Sequence, residues 1–355
     1  MDEIRTKRKP RRDRALVAGV VIVTAFYVLA IFADFIAPYN YKEQIRQQPS
    51  APPSTIRFRD REGNIQFRPF IYAQKLVDPR NLRYEEDISR PFFITFFSTG
   101  SQYDLLGVLP AERHLFGIDA ANAADAPRLR LLGSDQLGRD RFSRLLFAIR
   151  FSLLVSPIGT ILACLIGIIF GAVSGYARRS IDAAMMGVAD TVISLPTLIL
   201  ILAARAAFPL ELPAFTAATL LIVIFALTGW AEMARLTRGL VVAMKQREFV
   251  LAGRSIGLTE PRLLWRHIVP NIASPLLIQA TLMLPVFLLA EIALSFLGVG
   301  LQEPEPSLGN MLSVASDLSM LRNSPFILLS PAAAIFLFVL GIRLIGRRKA
   351  NFPVV

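Results

Sequence analysis

The chain has one cysteine in 355 residues, Cys164, and it stands inside an apolar run. No intrachain disulfide can form, and thiolates cannot build a zinc site. Histidine is almost as scarce: His114 and His267 are the only two, too few ligands for metal-centred chemistry. No Gly-Lys dipeptide occurs, hence no Gly-x-x-x-x-Gly-Lys-[Ser/Thr] phosphate loop. Charge is thin, at 19% of residues against about 25% in a soluble globular domain, while 54% are hydrophobic. That balance points to a polytopic membrane protein with the lipid bilayer around it. The net charge of +12 does not imply nucleic acid. Its basic residues gather at the ends of apolar runs, not in a stripe that could track phosphates.

What the chain has in plenty is apolar length. A helix needs about 20 mostly apolar residues to cross a bilayer, and six runs qualify. They are Ala15–Ala33 (continuing past Asp34 to Ala37), Phe151–Ala177, Ala183–Ala204 with only Asp190, Leu212–Ala231, Ile268–Gln302 with only Glu291, and Asn323–Ile342. The first is too long for a signal-peptide core of about 7–15 residues and lacks a small-x-small cleavage site, so it reads as a retained anchor. Lys and Arg flanking the spans set orientation. The basic tail containing Arg5, Lys7, Arg8, Lys9, Arg11, Arg12 and Arg14 is expected inside. The 232–267 loop, rich in Arg, is also inside, and the 299–322 loop with Glu303, Glu305 and Asp317 is outside.

The sequence therefore divides into a basic cytoplasmic tail (1–14), a first crossing (15–38), an extracytoplasmic insertion (39–147), a core of five crossings (148–346) whose inward loop spans 232–270, and a second cytoplasmic tail (347–355). Within the insertion, residues 55–59 and 64–68 alternate apolar and polar around Asp60-Arg61-Glu62-Gly63, a hairpin signal. Residues 91–97 predict a third strand whose aromatics pack on that hairpin. The expected fold class is an all-α polytopic membrane protein with an α+β insertion between helices 1 and 2.

The inward segment 248–271 reads EFVLAGRSIGLTEPRLLWRHIVPN. Gly257 and Pro261 split it into two short helices, and a preformed helix–turn–helix on this face offers a docking element to a soluble partner. Ala252-Gly253 leave a small-residue face for close approach, Leu251 and Ile256 offer apolar grip, and Arg254, Arg262 and Arg266 are free to meet acidic groups.

The spacing resembles the loop by which permease subunits of bacterial ABC importers engage their ATPases. In that pattern of Glu-Ala-Ala, three residues, Gly, nine residues and Ile-x-Leu-Pro, this chain supplies Leu251-Ala252-Gly253, Gly257 and His267-Ile268-Val269-Pro270. It departs at Leu251, Gly253 and His267. Further segments are similar to the second permease subunit of dipeptide and oligopeptide importers: Leu132-Gly133-Ser134-Asp135-Gln136-Leu137-Gly138-Arg139-Asp140 with Ser143-Arg144, Ser194-Leu195-Pro196, and Glu291 to Gly300 followed by Pro306-Ser307-Leu308-Gly309. The 40–130 insertion is larger than most such subunits carry.

The resemblance implies a type I ABC importer permease fold with six transmembrane helices in the bacterial inner membrane. It implies a homologous second permease, two cytoplasmic ABC ATPases and an extracytoplasmic solute-binding protein as partners, peptides as cargo, and no cofactor or catalytic residue of its own. ATPase docking then falls to Leu251, Ala252, Gly253, Gly257, Leu258, Pro261, Arg266, His267 and Pro270, and pathway or gating roles to Glu291, Ser295 and Pro285.

Several residues carry plainer expectations beside these. Glu291 lies about 23 residues into its run, so it lines the pathway or is a satisfied carboxylate near the outer interface. Asp190 is expected near a helix N-terminus, where carboxylates are favoured. Arg205 is expected to snorkel to the outer interface. Gly167, Gly171 and Gly175 form a four-residue spacing suited to close helix packing. His114 is expected to be structural. An ion-gradient-driven secondary transporter is the alternative function, but it requires inverted repeats and midplane ionisable groups that this chain does not display. A membrane-anchored enzyme with its site in 39–147 has no nucleophile–base or metal pattern behind it.

Overall fold

In lipid every backbone polar group must be satisfied within its own segment, so apolar runs become helices. The structure, a computed structural model, describes residues 14–59, 64–105, 107, 109–118, 126–314 and 326–349. Among them five helices are long and apolar enough to cross a membrane: α1 (Arg14–Ile31), α3 (Arg141–Tyr176), α6 (Ala214–Met244), α10 (Ala273–Phe296) and α12 (Phe326–Lys349, apolar over Leu328–Gly346). Between α1 and α3 lie a single turn, α2 (Ala33–Ile36), and the insertion, and a short helix, α11 (Leu308–Ser313), follows α10.

The run expected as one span over 183–204 is broken. Helices α4 (Arg179–Ser194) and α5 (Thr197–Ala206) meet at a bend of 86°. Leu195, preceding Pro196, is extended at φ −88 and ψ 135, as a residue before proline prefers, and Pro196 leaves the helical region as well. The other boundaries shift with helix chemistry. Helix α3 begins at Arg141, because Asp140 caps it by accepting from the Ser143 amide at 2.7 Å, so the 147/148 border falls inside a helix. Helix α12 runs to Lys349, which carries the helix past the 346/347 border. Met244, not Ala231, ends α6, so part of the expected inward loop is helix.

The most extensive helix pair is α3 with α6. Gly159 meets Phe225, Gly167 meets the Trp230 carbonyl, Gly171 meets Ala234 and Gly175 meets Val241. Both numberings rise together, so the two helices are parallel. A Cβ on Gly171 would lie 2.2 Å from the Ala234 carbonyl oxygen, which is why the small-residue stripe is needed. Parallel packing obliges α4 and α5 to carry the chain back along the full length of the pair.

The insertion is a four-stranded antiparallel meander in the order β1 (Arg57–Arg59), β2 (Ile65–Asp78), β3 (Arg83–Leu105) and β4 (Leu109–Ile118). No helix occurs in the described part of 39–140, so the expected α+β insertion is a sheet. The first hairpin pairs Arg57 with Phe70 and Arg59 with Ile65; its turn, 60–63, lies outside the described residues. The third strand includes the expected 91–97 but is far longer. Its aromatics divide: Phe93 packs edge-on against Phe70, whereas Phe96 and Phe97 are exposed. Ile71, Ile94, Ile118 and Leu129 form the small core.

Candidate functional site

Helix α6 passes through Lys245-Gln246-Arg247 into α7 (Glu248–Ser255), turns at Ile256-Gly257-Leu258-Thr259, and continues as α8 (Glu260–Leu263), a π-turn (Leu264–Ile268) and a final turn α9 (Val269–Asn271) before α10. The reversal is a Schellman end: the Leu258 amide donates to the Gly253 carbonyl and the Gly257 amide to the Arg254 carbonyl, each at 3.0 Å. That geometry demands a left-handed residue, and Gly257 supplies it at φ +83. Pro261 in the first turn of α8 spends no needed N–H there. Pro270 offers no N–H to the preceding turn, and the Val269 amide reaches back to the Leu264 carbonyl in the wider π pattern.

The elbow has two apolar rows. Val250, Leu263, Leu264, Ile268 and Ile272 are buried in the main helix core. Leu251 (52% exposed), Ile256 (77%) and Trp265 (45%) stay outside. Of the residues expected to dock, Ala252, Gly257, Pro261, Arg266 and Pro270 are exposed, and Leu258 and His267 are half-buried. Gly253 corrects the expectation of an open small-residue face: it is buried, with its Cβ direction 2.6 Å from Leu263, so its smallness serves the elbow's own packing. Arg254 is not free either. It makes a two-pronged pair with Glu260 across the turn, at 2.9 and 3.1 Å, and that hydrogen bonding raises its pKa. The Lys245 ammonium donates to the Gly175 carbonyl at 3.0 Å and lies over the Tyr176 ring, fixing the elbow to the end of α3. Trp265 and Phe249 were absent from the expected set. Each stands next to a buried residue, Phe249 beside Val250 and Trp265 beside Leu264, and adjacent helical positions do not share a face; that was the available signal.

The Asp135–Arg144 motif occupies the opposite end of the bundle, and its charged side chains turn inward while Gln136 and Leu137 are exposed. Asp135 accepts from the Leu137 and Arg139 amides and from Arg139 Nε at 2.6 Å. Glu303 accepts from Arg139 at 2.6 Å and from Arg144 at 2.8 Å. Gly138, at φ +75, lies where a Cβ would be 2.0 Å from the Ile45 carbonyl oxygen. The motif thus joins the start of the insertion, α3 and the loop after α10. Burial raises the Asp140 carboxyl to about 6 against the pull of the Ser143 hydrogen bonds.

Glu291 is 0% exposed, between Ser152 Oγ, donating at 2.6 Å, and Ser295 Oγ, donating at 3.0 Å. Ser295 and Pro285 are buried as well. All three face the interior of this chain, and the two serine hydroxyls satisfy the Glu291 carboxylate. Asp190 is not at a helix N-terminus but near the end of α4, 3.5 Å from Arg235. The first-turn carboxylate is Asp182, held by Arg238 at 2.5 Å and Ser174 at 2.6 Å. Arg205 does not snorkel. It is buried and donates to the Phe208, Pro209 and Leu210 carbonyls, closing the end of α5. His114 is buried in the sheet with a ring nitrogen 3.0 Å from the Ser101 carbonyl oxygen.

Residues 167–348 match the family described as binding-protein-dependent transport system inner membrane component. Residues 6–53 match the N-terminal TM domain of oligopeptide transport permease C. The chain is 36% identical over 214 residues to the oligopeptide transport system permease protein OppC of Bacillus subtilis, covering 60% of this chain and 68% of that protein. It is 34% identical over 238 residues to a putative peptide permease protein of Brucella ovis, covering 67% and 76%. Against the di/tripeptide transport system permease protein DppC of Pseudomonas aeruginosa the identity is 34% over 216 residues, covering 61% and 69%. The β-sheet falls outside both family matches.

Proposed function

The chain belongs to the family of binding-protein-dependent transport system inner membrane components, and on that premise we propose that its cargo is a peptide and that separate ATPases drive it through the 248–271 elbow. As an ABC importer permease in the inner membrane it is not itself an enzyme; ATP is hydrolysed by other subunits. The family also implies a second permease and a solute-binding protein. That membership supports ATP-driven import over the ion-gradient alternative. Peptide cargo rests on relatives named as oligopeptide and di/tripeptide permeases.

The topology we favour has six crossings, with the bent α4–α5 pair counted as one. Parallel α3 and α6 support it, since the connection between them must return across the bilayer. Both termini and the elbow then lie inside, and the sheet and the Glu303 junction lie outside. Within this half, motion of the elbow would be carried by α6 and α10, which emerge from it, and by α3, to which Lys245 ties it.

The observation that carries docking is the outer row of Leu251, Ile256 and Trp265. Apolar side chains exposed on a polar inward loop gain by burial against a partner. The docking set is thus Leu251, Ala252, Gly257, Leu258, Pro261, Trp265, Arg266, His267 and Pro270, with Gly253 shaping the elbow from within. Gly257→Glu places a charge and a Cβ at the left-handed apex. In proteoliposomes holding the complete importer, this variant should insert normally and leave basal ATP hydrolysis in place while peptide uptake falls at least tenfold. Undiminished uptake would end the docking assignment.

A further inference from the structure

We propose that a cleft enclosed by the α4–α5 bend, α6 and α10 meets the cargo, and that the Glu232 carboxylate there receives an ammonium group of the passing peptide. The proposal rests on the peptide-import reading above and adds a contact point to it.

The cleft has a volume of about 140 Å³. Thr197, Thr228, Glu232, Gln279 and Phe287 supply the polar mouth and the apolar back that the argument uses. Phe287 forms its back wall and is held there by stacking on the buried Phe225 ring, with centroids 4.8 Å apart at an interplanar angle of 14°. Gly229 admits Phe287 to that position: a Cβ there would lie 2.2 Å from the ring. A drug-sized ligand fills about 300 Å³ or more. This cleft therefore fits one end or one side chain of a peptide, not the whole of it.

Depth makes the carboxylate informative. Val241 of α6 packs on Gly175 at the inner end of α3. Glu232 sits nine residues earlier on the same helix, about 13 Å deeper at 1.5 Å per residue. A carboxylate at that depth is costly against lipid and is retained where it faces water or a pathway. Glu232 is exposed, and Gln279 Nε2 donates to it at 3.4 Å. No cation pairs with Glu232 among the described residues. Arg235, the nearest basic residue along α6, is turned to Asp190 instead, and both of those are more than half exposed. The same side of the molecule thus carries an exposed acid, an exposed ion pair and the bend at Pro196. That is the pattern of a wetted face.

Glu291 is the control within the molecule. It is also a carboxylate within a crossing, but two serine hydroxyls occupy its oxygens and nothing can reach it. Glu232 keeps acceptor capacity facing outward. An ammonium group with an apolar neighbour matches a carboxylate at the mouth and the Phe287 ring behind.

The test uses the complete importer in proteoliposomes with Glu232→Cys in this chain. The native Cys164 is buried. The importer is treated with 2-sulfonatoethyl methanethiosulfonate, which adds a negative group, or with its trimethylammonioethyl counterpart, which adds a positive one. Glu232→Cys should lower uptake at least tenfold, the anionic reagent should restore it several-fold, and the cationic one should not. Glu232→Asp should stay within about twofold of the parent. A peptide without basic side chains and a lysine-containing one separate the sources: if only the second responds, the ammonium is a side chain's, and otherwise it is the amino terminus. Equal uptake after both reagents, or no labelling at all, overturns the cleft contact while leaving import intact. Failure of the parent importer to take up any peptide overturns the import reading and this proposal together.

Discussion

The two ends of the helix bundle treat their polar groups in opposite ways. At the Glu303 junction, Arg139 and Arg144 are nearly buried, and each meets a carboxylate supplied by the same chain. Asp135 is satisfied by two amides and a guanidinium. At the elbow, Arg262, Arg266, Leu251, Ile256 and Trp265 all reach the surface, and one exposed ion pair holds the turn. An end whose charges answer one another holds itself together. An end that leaves apolar side chains among basic ones is the one we propose for docking. A strong sequence motif is therefore no guide to which end makes contacts, since the Asp135–Arg144 segment is as recognisable as the elbow and turns its charged side chains inward.

The largest effect expected of breaking this contrast lies at the junction. Asp135→Ala removes one of the two carboxylates that hold Arg139 and uncaps two amides, and removing one side of a buried pair costs about 3 kcal/mol. Thermal unfolding of the detergent-solubilised protein should register it, while capture of the ATPases by the surviving folded fraction stays at the parent level. Next comes Trp265→Ala at the elbow. Loss of an exposed aromatic leaves folding within about 0.5 kcal/mol, yet a central aromatic contact is worth about 2 kcal/mol in an interface, so ATPase affinity should drop about thirtyfold. Equal affinity would place Trp265 outside the contact. Glu303→Gln ranks third. Glu303 is half exposed, and the carboxamide still accepts from Arg144, so about 1 kcal/mol of stability should go, less at high salt.

Much of this contrast could be read before any coordinates, and the remainder divides by physical cause. Crossings declare themselves because hydropathy is local: five of the six runs became long helices. The sixth run contained its own warning in Leu195-Pro196, but proline fixes only that a helix ends, not that the next one leaves at 86°. Gly257 was legible because a left-handed turn admits few other residues. Gly253 was misread, since a small residue packs inward or outward with the same spacing. Arg139 and Glu303 are 164 positions apart, and nothing local announces their pairing. Glu291 was legible as a carboxylate within a crossing, but Ser152, 139 residues away, decided its environment. Glu232 lay in a segment read as loop, and only the extension of α6 to Met244 put it at bilayer depth.

The smallest expected effect is the sharpest test of what the elbow's one ion pair does. Arg254 and Glu260 face each other across the Schellman turn, both in reach of solvent. Exposed pairs of this kind contribute about 0.2–1 kcal/mol, so Arg254→Ala should hardly alter thermal unfolding. Their geometry suggests orientation of α8 relative to α7, and orientation decides whether Leu251, Ile256 and Trp265 form one contact surface. Arg254→Glu with Glu260→Arg keeps the attraction and exchanges the ends. If the pair only orients, the exchanged variant should regain most of the ATPase affinity lost by either single reversal, and 0.5 M salt should erode it in both forms. If the Arg254 guanidinium itself meets an acidic group on the ATPase, the exchange should recover nothing, and affinity should track the residue at 254 alone.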